Sequence, residues 1–91
     1  MNEVFRFDIS LRPDAAITLV KDSLTENTEL IHQEMHDLGD GRMTGTLVYE
    51  RYFIRAGNQA ALVVIVDNFS GVSKVRLVPA GSSNGSMIKF D

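Results

Sequence analysis

The sequence predicts an α+β fold: one N-terminal strand and one helix, then an antiparallel meander of about five strands, with the helix packed on one sheet face. Three observations carry this expectation. Phe5, Phe7 and Ile9 alternate with Arg6 and Asp8 near the start of the chain. Pro13 and Asp14 open a stretch whose apolar residues recur at spacings of three and four. From Met43 onward, segments rich in Val, Thr, Ile and aromatic residues are separated by short turns containing Gly and Asn.

Each element follows from local chemistry. Glu3 to Ser10 reads as a half-buried strand, with Phe5 and Phe7 (and later Phe69) as core residues. Pro13 suits the first position of a helix, where its missing N–H costs nothing, and Asp14 suits the positive end of the helix dipole. Ile17, Val20 and Leu24 then form one apolar face, with Lys21, Asp22 and Glu26 wet and Asn27-Thr28 ending the helix. Glu29 to Leu38 fits either a helix closed by Gly39 or a strand. The strand is preferred, because Asp40-Gly41 then supplies a hairpin turn into Met43 to Arg55. Ala56-Gly57-Asn58 turns into Gln59 to Asn68, Ser70-Gly71 turns into Val72 to Pro79, and a Gly/Ser loop from Gly81 to Ser86 precedes Met87 to Phe90.

Composition bounds the rest. With 91 residues, 44% of them hydrophobic and 23% charged, the chain reads as a single globular domain over residues 1–91. It contains no cysteine, which excludes disulfides, thiolate metal sites and thiol nucleophiles. The longest apolar run, Ala60 to Val66, is far too short to span a bilayer, and no signal peptide is read, so a cytoplasmic location away from membranes is expected. A net charge of −3 argues against a general nucleic-acid binder. That charge is uneven: residues 1–41 hold three basic and nine acidic side chains, and residues 42–91 hold six basic and three acidic ones. Such asymmetry can steer a partner or let two copies meet head to tail, but solvated acidic and basic faces are the favoured explanation.

The run from Ala60 to Val66 is apolar without alternation, so this strand should be buried on both faces. A single helix covers only one. A second copy, a ligand, a partner or a further segment is therefore expected to cover the other.

Glu50-Arg51-Tyr52-Phe53-Ile54-Arg55, Asn58-Gln59, Leu62-Val63-Val64 and Asp67-Asn68 together resemble a family of short uncharacterised bacterial proteins, a domain of unknown function. Gly81-Ser82, Gly85 and Phe90-Asp91 are similar to the same family, so the likeness lies mainly over residues 47–91. The resemblance implies no activity, substrate or cofactor. It does imply that members continue past the Phe-Asp pair into Trp-Gly and an amphipathic helix, which makes that helix one candidate cover for the Ala60–Val66 strand.

No residue constellation names a reaction. His32-Gln33-Glu34-Met35-His36 departs from the His-Glu-x-x-His zinc motif, and on a strand its histidines lie about 13 Å apart, so no metal site is expected. Gly81 to Ser86 lacks the lysine of a phosphate-binding loop. Arg51 and Arg55 share one strand face. If that face is partly covered they pair with Asp67 or grip an anion. If it is open they are surface charges that discourage aggregation, and a structural role is favoured. With Tyr49 and Phe53 they make a slim case for base stacking. Glu50 lies on the other face with Tyr52 and lacks the partnered nucleophile a general base would serve. An enzyme is therefore the least supported class, and no cofactor is expected. The leading expectation is a non-enzymatic homodimeric interaction domain burying an apolar sheet face, with Tyr52, Ile54 and Val64 in the interface. The alternative is a module for an apolar or amphipathic small molecule, whose polar end Glu50, Tyr52 or Arg55 would fix.

Overall fold

The computed structural model describes residues 4–24, 28–53 and 58–81. Among them are five strands and one helix: β1 (Phe5–Ile9), α1 (Pro13–Ser23), β2 (Thr28–Gly39), β3 (Arg42–Phe53), β4 (Asn58–Asp67) and β5 (Ser73–Gly81). The strands form one open antiparallel sheet in the order β1-β5-β4-β3-β2. β2 to β5 are the expected meander. β1 joins the edge of β5 rather than a sequence neighbour, so the two ends of the described chain meet in one strand pair. The expected strand Met87 to Phe90, and Ile54, Arg55, Ala56 and Gly57, lie outside the described residues.

The region from Thr28 to Gly39 is a strand, as the Asp40-Gly41 turn required. Asp40 (φ 57°) and Gly41 (φ 78°) both adopt the left-handed region, which matches the right-handed twist of a two-residue hairpin. The helix begins at Pro13 as expected, with the Ala16 N–H donating to the Arg12 carbonyl at 2.8 Å. It ends earlier than the sequence suggests, at Ser23 rather than near Asn27. The Ser23 hydroxyl donates back to the Leu19 carbonyl at 2.8 Å, and Leu24 has already left helical geometry at φ −106°, ψ 75°. Serine competes with the backbone in this way, which weakens the last turn.

α1 packs across β3 and β4. Ala16 and Ile17 press onto Leu47, Tyr49, Val64, Val66 and Val75, all nearly inaccessible, with Val20, Leu24, Leu30, Met35, Leu62 and Leu77 around them. Each of the larger aliphatic side chains here contributes about 1.5–3 kcal/mol by leaving water. An 11-residue helix is about 16 Å long and cannot shield five strands. Phe5 and Phe7, read as core from sequence, are therefore 42% and 45% exposed at the β1 edge, beyond the helix's reach. Phe69 is exposed as well, because it sits in the β4–β5 turn rather than in a strand.

Gly45 sets how closely the helix approaches. A Cβ there would lie 2.8 Å from Met35 Sδ and 3.0 Å from Ile17 Cγ1. Gly45→Ala is expected to push the helix outward and lower stability by about 1–3 kcal/mol, read from the midpoint of urea unfolding. An unchanged midpoint would show that the contact relaxes freely.

Candidate functional site

The face turned away from α1 is ordered by strand register, because directly paired residues of adjacent strands point to the same side. His32, Val48, Val63 and Val78 form one row across β2, β3, β4 and β5. Glu34, Thr46, Ile65, Arg76 and Arg6 form the next, reaching β1. His36, Thr44, Asp67, Lys74 and Asp8 form a third. Val48, Val63, Ile65 and Val78 are half-buried, so among the described residues the middle of this face is apolar and its flanks are charged.

The two flanks differ. On β2, Glu34 bridges two imidazoles, with His32 Nε2 at 2.8 Å and His36 Nε2 at 3.1 Å from its two oxygens. These hydrogen bonds, that from His32 first, hold the Glu34 carboxyl below the usual carboxylate range. Each histidine uses Glu34 rather than the other histidine, and all three side chains are about half exposed. Among the described residues no group of three or more potential ligands is placed to hold a metal ion. Across the sheet, Arg6, Asp8, Asp67, Lys74 and Arg76 line an open recess of about 580 Å³. Lys74 pairs with Asp8 at 3.3 Å and Arg76 with Asp67 at 3.5 Å.

The residues singled out from sequence are dispersed by this arrangement. Glu50 lies on the open face, opposite Glu29 and Ala61. Val64 lies under the helix at 0% exposure and is a core residue, so outward contact on β4 falls to Val63 and Ile65. Asp67 takes Arg76 and the Phe69 N–H as its partners. The pairing with Arg51 expected from sequence is out of reach, because Arg51 is in register with Ala60, seven positions and about 23 Å along β4 from Asp67. Tyr52 is in register with Gln59, while Ile54 and Arg55 fall outside the described residues. Tyr49 is 2% exposed in the core, where desolvation raises its hydroxyl pKa, so it offers no stacking surface to a base.

Sequence reading missed Ile65, Arg76 and Arg6 as one row. The alternation of Lys74 and Arg76 within a β segment was a signal for it, but only strand order brings Arg6 beside them. Asn68, which closes the Gln59 to Asn68 segment in the sequence reading, also ties two elements together. Its side chain accepts from the Met43 N–H and donates to the Gly41 carbonyl, both at 2.8 Å, clamping the β2–β3 turn to the end of β4.

The lowered Glu34 carboxyl fixes the sign of one pH effect. The folded chain binds fewer protons than the unfolded chain between the lowered value and 4.5, so this stabilisation is complete above 4.5 and lost as pH falls through the folded value. Glu34→Gln is expected to reduce stability above that window and to converge with wild type below it, followed by urea unfolding across the acid range. Parallel pH curves for the two proteins would contradict the bridge.

Among the described residues no helix is long and apolar enough to cross a membrane. A search of the curated proteins and a search of the solved structures each returned no match. The model of one family, described as "Family of unknown function (DUF6054)", matches residues 3–91 and so carries the likeness seen over the second half through the first. With nearly the whole sequence matched, and with the strand–helix–meander fold now described, this chain belongs to that family of unknown function, DUF6054.

Proposed function

We propose that this chain is a non-enzymatic interaction domain of the bacterial cytoplasm that works as a homodimer, burying apolar sheet surface against a second copy. One observation supports the reading above others: α1, the one helix among the described residues, packs on one side of β3 and β4, and apolar residues stand on two further stretches of the sheet. One stretch is the open-face row of Val48, Val63 and Val78 with Ile65 beside it. The other is the β1 flank, where Phe5 and Phe7 are each more than two-fifths exposed. A chain of 10.1 kDa buries a smaller share of its surface than larger domains do, so covering either stretch stabilises it appreciably. The cysteine-free sequence suits a reducing compartment.

A second reading, a small-molecule module, is favoured by the recess of about 580 Å³ beside the apolar row. Arg6, Lys74 and Arg76 in its lining suit an amphipathic molecule with an anionic end.

Native mass spectrometry of protein purified without added ligand separates the two. A mass of twice the 10.1 kDa chain is expected for the homodimer. A single-chain mass with a discrete adduct would favour the ligand module instead, and a bare single chain would overturn both.

A further inference from the structure

The two edges of the sheet are unequally protected. An edge strand presents unpaired N–H and C=O groups, and proteins that must keep it free interrupt it with bulges, charges or proline. β2 carries such devices, with register shifts at Leu30/His32 and Asp37/Gly39 and the His32-Glu34-His36 cluster on its outer half. β1 carries none. Its five residues run in unbroken register with β5 and contain no proline, glycine or bulge. Moreover, Phe5 and Phe7 stand 42% and 45% exposed on its helix-side face. On the opposite face Arg6 is set directly across from Arg76, a like-charge pair, and none of the ion pairs between described residues uses Arg6.

Resting on the homodimer reading, we propose that the second copy adds through β1, antiparallel to β1 of the first, to give one continuous ten-stranded sheet. The register is dictated by the sequence Phe5-Arg6-Phe7-Asp8-Ile9. A two-fold axis at Phe7 sets Arg6 of each copy opposite Asp8 of the other and Phe5 opposite Ile9. Sliding by two residues sets Arg6 against Arg6 or Asp8 against Asp8, which repel. Sliding by one sets charged residues against the phenylalanines and flips the faces. Only the first register joins opposite charges on one side and apolar side chains on the other. It also gives Arg6 the carboxylate partner that it lacks among the described residues, and it brings four exposed phenylalanines together beside the two helices. The contact is isologous, so it closes at two chains. The protected β2 edges face outward.

The test is a charge exchange measured by sedimentation equilibrium on the full chain. Arg6→Asp and Asp8→Arg each replace two attractive cross-strand pairs with two repulsive ones and should weaken dimerisation by about tenfold or more. The double variant R6D/D8R restores the complementarity and should return to within about threefold of wild type. Asp8→Arg also removes the Lys74 pair within the chain, so recovery in the double variant, rather than loss in that single one, is the decisive readout. Val63→Asp, on the open face, should leave the dimer intact. Dimerisation indifferent to the charge exchange but abolished by Val63→Asp would place the contact on the open face and overturn the β1 pairing while sparing the homodimer. A wild-type chain that stays monomeric at high concentration would overturn the homodimer itself.

Discussion

Everything in this fold is organised by the seating of Ile17 and Ala16 over Gly45 and the four aliphatic residues Leu47, Val64, Val66 and Val75. It is the contact that joins helix to sheet, and it depends on one position having no side chain. Because Gly45 lets the helix descend, Met35 on the edge strand β2 reaches the same cluster. Edge strand, central strands and helix thus share a single core. The price is breadth: a helix seated this deeply over β3 and β4 has no length left for β1.

That geometry accounts for the uneven character of the sheet. Its helix side grades from a sealed centre to a wet aromatic edge. Its open side has an apolar middle between an acid-imidazole flank and a basic one. The charge asymmetry along the chain therefore becomes an asymmetry across the sheet, since β2 comes from the acidic first half while Lys74 and Arg76 of β5 come from the basic second half. β1 is the exception, an element from the acidic half that strand order carries to the basic flank.

Much of the fold was legible in the sequence. The alternation of Phe5, Phe7 and Ile9, the Pro13 start and the Asp40-Gly41 turn are local signals, and each produced the expected local structure. The non-alternating run on β4 was expected to be buried on both faces. Only its helix side holds fully buried residues, Val64 and Val66, while Ala61, Val63 and Ile65 on the other face are half-buried. What failed depended on distance. Whether Phe5 and Phe7 are covered is decided by the helix's length and by which strand it crosses, neither of which is written near residues 5–9. Assigning Val64 to an interface required knowing which side of β4 the helix takes, and alternation is blind to that choice. Asp67 finds Arg76 rather than Arg51 because antiparallel register, not proximity in type or sequence, decides partners.

The pairing of β1 with β5 has a consequence for how the molecule is made. Asp8 and Lys74, which meet across that pair, are 66 residues apart. During synthesis at about 5–20 residues per second, β1 emerges and waits several seconds before its partner strand exists. Meanwhile β2, β3 and β4 can zip sequentially through short hairpins, each closing a small loop at little entropic cost. Of the five described strands, the first to be synthesised is thus the last to be incorporated, and Phe5 and Phe7 stay unpaired with β5 throughout that interval.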